Sequence, residues 1–222
     1  MSKVLVTGFE AFGTTPVNPA EQVARHFEGS EIAGAMIVTR IVPNTFFTCI
    51  DVVQSAIVDI NPDVVVMMGE YGGRAMITVE RIAQNFNDGT RYGLADNAGN
   101  LLQDVQTIPD GPVAYHTTLP IRAMVRAMRK AGTPADISDA PGTFCCNHLM
   151  YGILHFIAVQ RLGVRAGWIH LPCLPEVAAL ERNLGSPSMS VETAVRGVRA
   201  AIAATIDHPE DIKEPIVSLL QI

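Results

Sequence analysis

A thiol near the middle of the chain has the local surroundings of a nucleophile. Residues 144–148 read Phe-Cys-Cys-Asn-His, with a Pro141-Gly142 turn before them and apolar residues at helical spacing after them. That pattern places Cys146 at the first turn of an amphipathic helix, where unpaired N–H groups and the positive end of the helix dipole gather. We therefore expect a thiol that ionises more easily than usual, beside N–H groups able to hold an oxyanion.

His170 is the best placed base for that thiol. It follows Trp168 and Ile169 at the end of an apolar run, and Pro172 stops the run. An imidazole there takes the thiol proton if the two groups meet at about 3 Å in the fold. The alternative is a core histidine bonded to a backbone carbonyl, and the residues alone leave both interpretations open.

Glu80 is a candidate for the third member of a triad. It is a lone acid in the apolar residues 77–83, and an acid is costly to bury unless it is paired. Such a carboxylate would orient the imidazole. The residues alone favour a simpler alternative, an outward-facing edge carboxylate paired with a nearby arginine.

The other cysteines and the glycines have plainer interpretations. Cys49, Cys145 and Cys173 are expected to pack as small side chains, and the four cysteines show neither a disulfide framework nor metal-ligand spacing. The glycines of residues 8–13 do not match a dinucleotide fingerprint. We therefore predict reduced thiols and no metal site.

Phe9, Phe12 and Phe144 are candidates for a flat apolar slot near the thiol. The alternative is ordinary core packing, which is favoured for any single phenylalanine.

These residues need a scaffold that brings distant segments together. Apolar runs alternate with helical patterns. They predict strands at residues 4–7, 36–42, 64–68, 77–82 and 166–171, and helices at 19–27, 45–59, 120–130, from 146 onward, 176–183 and 190–205. Residues 85–111 are predicted to form a long loop or a hairpin. The alternation predicts an α/β fold, a single-domain α/β/α sandwich with a mostly parallel or mixed twisted sheet. Ligands bind beyond the carboxyl ends of strands in such sheets, where residues 8–13, residues 69–74 and His170 are expected.

Composition restricts the function classes. The 222 residues, 48% hydrophobic and 17% charged, fit one domain over residues 1–222 with a substantial core. A formal charge of -6 argues against a nucleic-acid surface, and no basic run suggests a membrane patch. No apolar run has the length of a signal peptide or a membrane span, so we predict a cytoplasmic protein.

Several segments together resemble the pyroglutamyl peptidase I family, also called pyrrolidone-carboxylate peptidase. They occur in family order and cover roughly residues 4 to 180: residues 8–13 with Asn18-Pro19, 72–74, 80–85, 96–100, 144–148 and 169–176. The resemblance implies a cysteine peptidase that removes an amino-terminal pyroglutamate from peptides and proteins through a thioacyl-enzyme. It further implies a single α/β/α globule, often assembled as a homotetramer, with no cofactor.

The resemblance also assigns the triad. It implies that Cys146 is the nucleophile, because the family's thiol directly precedes the asparagine, that His170 is the base and that Glu80 orients it. Pyroglutamate is an uncharged lactam, whose ring would stack in the slot of Phe9, Phe12 and Phe144. Its amide groups need partners, one of which Asn18 would supply, and a neutral slot would reject a charged amino terminus.

The chain departs from the family pattern at two places, Glu70 and the loop that carries Arg91. Glu70 stands where the family usually has glutamine, and an ionised carboxylate only accepts hydrogen bonds whereas an amide also donates them. Arg91 is the natural match for a family arginine near the oxyanion, in a loop that is longer than the family pattern.

Two alternatives remain open at this stage. One is a nucleoside phosphorylase-like transferase on the same fold, which would need phosphate and tolerate thiol alkylation. The other is a non-catalytic binding module with a structural thiol, in which Cys146 would react with iodoacetamide no faster than Cys49.

Overall fold

Within residues 2–218, nine strands form two sheets. They are β1 (Lys3–Phe9), β2 (Glu31–Ile32), β3 (Ala35–Val42), β4 (Val64–Glu70), β5 (Ile77–Glu80), β6 (Ile82–Gln84), β7 (Ala114–His116), β8 (Ala135–Ser138) and β9 (Arg165–Leu171). The structure, a computed structural model, describes residues 2–218. The large sheet has the order β2-β3-β1-β4-β9-β5-β8, and β6 pairs with β7 alone. The fold is α/β with a mixed, mostly parallel sheet, as the sequence predicts.

Helices cover both faces of the large sheet. The helices are α1 (Pro19–Phe27), α2 (Thr48–Ile60), α3 (Ile121–Lys130), α4 (Cys145–Gln160), α5 (Pro175–Ala178) and α6 (Val191–Asp207). Alternate residues of β1 pack against the helices on opposite faces of the sheet. Val4 and Val6 pack with α1, α3 and α6, whereas Leu5 packs with α2 and α4. Successive strand side chains point to opposite faces, so both sides of the sheet are apolar.

The predicted start of α1 is confirmed. Pro19 is its first residue, and the Asn18 side chain accepts a hydrogen bond from the Ala20 N–H at 2.9 Å. Proline has no N–H to lose at the first helical position, and asparagine satisfies one of the free N–H groups there. Ser190 caps α6 in the same way, through the Thr193 N–H.

Several predicted boundaries are wrong. The strand predicted at 77–82 breaks at Arg81, whose N–H donates to Ser138 while its carbonyl accepts from Thr117, so the chain changes partners between β5 and β6. The helix predicted at 45–59 begins at Thr48, because Phe47 has a φ of 62° that a helix does not accept. The helix predicted at 176–183 ends at Ala178, and a 3₁₀ turn follows at Glu181–Asn183.

The long loop at 85–111 is predicted correctly, and its main chain is tied down. It contains a 3₁₀ turn at Thr90–Tyr92 and an isolated bridge between Asn87 and Val105. The Asp96 carboxylate accepts from the Phe46 N–H at 2.8 Å, which fixes the loop to the segment before α2. Among residues 2–218, no helix has both the length and the apolar character needed to cross a membrane.

Candidate active site

The central strands β4 and β9 end beside the amino terminus of α4, and a cavity of about 340 Å³ opens there. Its wall carries a thiol, an imidazole and a carboxyl together with aromatic and small side chains: Phe12, Glu70, Tyr71, Gly72, Tyr92, Leu94, Pro141, Thr143, Phe144, Cys146 and His170. Three segments predicted to meet at the carboxyl ends of strands therefore do meet there.

His170 and Glu80 form a buried pair across two strands. The His170 Nδ1 lies 2.8 Å from the Glu80 Oε1, and both side chains are shielded from solvent. β5 runs antiparallel to β9 with Thr78 opposite His170 and Glu80 opposite Trp168. Glu80 and His170 are thus diagonal neighbours on one face of the ladder, a separation that long side chains can bridge.

Arg74 binds the same Glu80 oxygen that His170 contacts. Its guanidinium donates to the Glu80 Oε1 at 2.8 Å and to the hydroxyl groups of Thr78 and Ser138. The same guanidinium lies 3.8 Å from the centre of the Tyr71 ring, which in turn packs edge-on against His170 at 5.2 Å. Arg74 therefore contacts two residues that both touch the imidazole.

These contacts fix the charge of the pair. Burial alone would raise the pKa of Glu80, but the hydrogen bond from His170 and the charges of His170 and Arg74 outweigh it and lower the pKa to about 2. Burial lowers the pKa of His170, and Glu80 opposes that change only in part. Because an ionised Glu80 only accepts, Nδ1 carries the imidazole proton and Nε2 is left with a free lone pair.

The second ring nitrogen of His170, Nε2, is not hydrogen-bonded to any described residue. The atom is also buried. An unpaired buried acceptor is costly, and such atoms in a cavity mark places where a proton donor can dock.

Cys146 is the second residue of α4 and lies against the end of β4. A Cβ placed on Gly69 would come within 2.9 Å of the Cys146 Sγ and 2.8 Å of the Trp168 ring, so only glycine permits this approach. Gly69 pairs directly with His170 in the neighbouring strand. The thiol and the imidazole are therefore on adjoining parts of the cavity wall.

The expected ease of ionisation of Cys146 is wrong for the resting protein. Burial raises the pKa of this thiol well above its ordinary value, and the nearby Glu80 raises it further. The amino terminus of α4 favours the thiolate, but desolvation of the buried sulfur outweighs it. The resting thiol is neutral, and its proton has to leave when a reaction begins.

The other cysteines lie apart from the cavity. Cys145 is fully buried in the layer that α4 forms with α2, together with Cys49. Cys173 donates a hydrogen bond to the Pro187 carbonyl at 3.3 Å. All three positions agree with the expectation of structural cysteines.

Two of the three predicted slot phenylalanines reach the cavity. Phe12 and Phe144 both line it, with ring centres 6.1 Å apart, and Phe46 supports Phe144 edge-on at 5.3 Å. Phe9 lies beneath them, buried against Trp168 at 5.5 Å.

Asn18 and Arg91 are not brought to the cavity wall. The Asn18 side chain is buried, and both of its polar atoms are hydrogen-bonded to the backbone. Its oxygen caps α1, and its amide N–H donates to the Glu10 carbonyl at 3.0 Å. Arg91 is exposed, 5.1 Å from the Tyr92 ring. The loop presents Tyr92 to the cavity in its place.

Sequence reasoning missed the roles of Tyr71, Arg74 and Tyr92. Arg74 belongs to a segment that the resemblance includes, but spacing along the chain does not reveal that it bends back to Glu80. Asn147, next to the thiol, also has a structural role: its amide pairs with the Gln84 backbone at 2.8 Å and 2.9 Å and fixes the start of α4.

Unlike the buried Glu80, which contacts His170, Glu70 lines this cavity. It is half-buried, its Oε2 has no hydrogen-bond partner among residues 2–218, and burial raises its pKa to about 7.

Comparison with known proteins is consistent across sequence and structure. The model of the pyroglutamyl peptidase family matches residues 2–208. The chain is 65% identical over 222 residues to a pyrrolidone-carboxylate peptidase of Mycobacterium tuberculosis, covering 100% of both. It is 46% identical over 214 residues to a pyrrolidone-carboxylate peptidase of Ralstonia nicotianae, covering 96% of this chain and 97% of that one.

Solved structures have the same fold. The crystal structure of pyroglutamyl peptidase I from Bacillus amyloliquefaciens superposes with a TM-score of 0.92 at 36% identity, over 97% of this chain and 100% of that one. The pyrrolidone carboxyl peptidase from Thermococcus litoralis gives a TM-score of 0.91 at 35% identity, over 97% and 100%.

Proposed function

The chain belongs to the pyroglutamyl peptidase family, and we propose that Cys146, His170 and Glu80 carry out its peptidase reaction. It is a cysteine-type hydrolase of pyroglutamyl peptides, and the similarity does not support the nucleoside phosphorylase-like transferase. The observation that carries the triad is the buried Glu80–His170 pair, whose free nitrogen shares one cavity with the Cys146 thiol.

The reaction begins with transfer of the thiol proton. His170 Nε2 takes the proton of the Cys146 Sγ while the sulfur attacks the carbonyl carbon of the pyroglutamyl residue. The imidazolium that forms is held by the ionised Glu80 at Nδ1, which keeps the ring oriented throughout. Because the resting thiol is neutral, its proton must pass to His170 before or during the attack.

The tetrahedral intermediate collapses to a thioester. Backbone N–H groups at the start of α4 stabilise its oxyanion, and His170 gives its proton to the leaving amine. Water then attacks the thioester, losing a proton to His170, and pyroglutamate leaves as the thiol is restored.

The cavity fits an uncharged ring. Phe12 and Phe144 lie side by side on its wall, with ring centres 6.1 Å apart, and form an apolar surface on which a flat lactam can pack. A cationic amino terminus would lose its hydration there without gaining a carboxylate partner of fixed charge. Phe9 and Asn18 support the cavity wall without lining it. Phe9 packs against Trp168 beneath the cavity, and Asn18 fixes the backbone at Glu10, shortly before Phe12.

We also propose that the chain forms a single domain and assembles as a homotetramer. The large sheet joins strands from the first and last thirds of the chain, which supports a single α/β domain. Val58 and Val159 are exposed on α2 and α4 near the partly exposed Leu162, an apolar surface that supports the homotetramer implied by the resemblance. Four free cysteines support a reducing, cytoplasmic location. Light scattering of the purified protein would report the oligomeric state.

The two adjacent cysteines provide the decisive experiment. We expect Cys146→Ser to reduce hydrolysis of a pyroglutamyl coumarin amide by at least about a thousandfold, because the hydroxyl is a far poorer nucleophile here. Cys145→Ser is the matched control and should keep activity within about tenfold, since its cost is one of packing. Loss of activity in the control with retention in Cys146→Ser would place the nucleophile at the other thiol.

The substrate assignment has its own test. The wild-type protein should hydrolyse the pyroglutamyl amide and leave the matching prolyl and glutaminyl amides essentially intact. Equal rates on the three amides would contradict recognition of the lactam.

A further inference from the structure

Glu70 is an unpaired carboxyl on the wall of the active-site cavity. It is the last residue of β4, and its Oε2 is buried without a hydrogen-bond partner among residues 2–218. No arginine or lysine of the described chain forms an ion pair with it, and Arg74 is occupied by Glu80 and Tyr71. The triad described above makes no use of this group.

A carboxyl in this setting retains its proton more readily than usual. Removing a carboxylate from water without a cation disfavours its charge, and burial raises the pKa of Glu70 to about 7. Around neutral pH the cavity therefore contains a mixture of the acid and its anion.

We propose that Glu70 binds the lactam of the substrate in its protonated form, donating its O–H to the ring carbonyl and accepting the ring N–H. The inference rests on the proposed function and adds the recognition chemistry. A five-membered lactam is a cis amide with one donor and one acceptor on the same edge. A neutral carboxyl presents the complementary acceptor and donor, so two hydrogen bonds form together.

The anion of Glu70 would reverse this preference. A carboxylate offers only acceptors, so it leaves the ring carbonyl without a donor and repels its oxygen. It would also attract the cationic amino terminus of a prolyl peptide. The proton on Glu70 therefore governs both affinity for the lactam and discrimination against proline.

Other groups of the site and its surroundings also titrate or carry charge, so the test must separate them from Glu70. They are Cys146 on α4, His170 on β9, Cys173 after β9, Glu80 on β5, Tyr71 and Arg74 after β4, and Tyr92 in the 90–92 turn. Cys146 is removed by mutation, and the remaining groups are common to variants that differ only at residue 70.

The experiment measures binding of 2-pyrrolidinone, the bare lactam ring, by NMR titration between about pH 6 and pH 8.5. In Cys146→Ser, we expect the dissociation constant to rise about tenfold over this range as Glu70 loses its proton. In Cys146→Ser with Glu70→Gln, the amide donates and accepts at every pH, and we expect a flat profile at the tight value. Glu176→Gln in the same background is the control, because Glu176 is exposed and outside the cavity.

A further variant keeps the volume and removes the hydrogen bonds. Glu70→Met in the Cys146→Ser background should bind the lactam weakly at every pH. Parallel pH profiles for Cys146→Ser with and without Glu70→Gln, or tight binding by the Glu70→Met protein, would overturn the inference.

Failure of the inference can be told from failure of the proposed function. If wild type hydrolyses the pyroglutamyl amide but its KM follows the same pH profile as that of Glu70→Gln, only the role of the Glu70 proton is refuted. If wild type does not hydrolyse the amide at any pH, the proposed function itself fails.

Discussion

Glu70, on the cavity wall, and Glu80, buried against His170, are both glutamates and have opposite protonation behaviour. Glu80 is fully buried with a pKa of about 2, whereas Glu70 is half-buried with a pKa of about 7. The more deeply buried acid is the stronger one. Cationic partners, and not depth alone, decide which form a buried carboxyl takes.

One turn of the chain creates this difference. After β4 the backbone passes through Gly72 and Gly73, and Gly73 adopts a φ of 87° that other residues rarely adopt. The turn sends Arg74 back toward β5, where it pairs with Glu80. The segment that supplies a cation to one acid thereby leaves the acid at the end of β4 without one.

Neutralising Glu80 should have the largest effect on catalysis. Glu80→Gln removes the charge that holds the imidazolium and lets the amide present either donor or acceptor to His170, so the required tautomer is no longer enforced. We expect kcat for the pyroglutamyl amide to fall by about a hundredfold to ten-thousandfold. Glu70→Gln at about pH 6 is the comparison, and similar losses in both variants would abolish the distinction between the two acids.

Removing the cation should bring the two acids closer together. In Arg74→Gln, the pKa of Glu80 should rise, and the pKa of His170 should rise too, because the charge of Arg74 lowers it. The base works in its neutral form, so the acidic limb of kcat/KM should move to higher pH, with a loss of about tenfold or more in mild acid. A uniform loss with an unshifted pH profile would leave Arg74 with a purely structural role.

Arg74→Lys refines the same test. It keeps the charge and loses the planar contact with Tyr71, so the pH profile should return toward wild type while part of the kcat loss remains.

The pH dependence of stability should report the raised pKa of Glu70. Its folded pKa of about 7 exceeds the ordinary value of 4.5, so the folded state holds more protons and loses stability as pH rises from 4.5 to 7. At about pH 8, Glu70→Gln should therefore be more stable than wild type by about 3 kcal/mol, with the gain nearly lost at pH 4.5. Urea unfolding at the two pH values measures this difference, and a pH-independent difference would contradict the raised pKa.

The smallest effect on kcat/KM is expected at Arg81, the residue after Glu80. Arg81 forms a partly exposed ion pair with Asp139 at 3.0 Å, outside the cavity. Arg81→Gln removes the same charge as Arg74→Gln but should change kcat/KM by less than about twofold, because screened surface pairs contribute little. A shift in its pH profile as large as that of Arg74→Gln would show that overall charge matters more than contact.

The sequence predicts the local parts of this site well. The Asn18 cap, the helix that begins at the thiol and the strand that ends near His170 all follow from short-range patterns, and the structure contains them. Glu80 needed the family resemblance, since its own surroundings favoured an edge carboxylate.

Long-range contacts could not be predicted in this way. The antiparallel placement of β5, the return of Arg74 to Glu80 and the isolation of Glu70 depend on which segments become neighbours in the sheet. The neutral resting thiol has the same origin, because helix position is local whereas burial is a property of the whole fold. Arg91 was expected at the cavity, but Tyr92 lines it, because the 3₁₀ turn decides which side chain faces the cavity.

The antiparallel ladder between β5 and β9 also sets how often the catalytic pair can come apart. Val79 lies opposite Ile169, between the positions of the acid and the base, so main-chain hydrogen bonds hold the two strands in register. Amide protons in such a ladder exchange with deuterium only when the sheet opens. Opening the ladder separates the pair, so the exchange rates give a lower limit to the frequency with which a folded molecule loses its catalytic alignment.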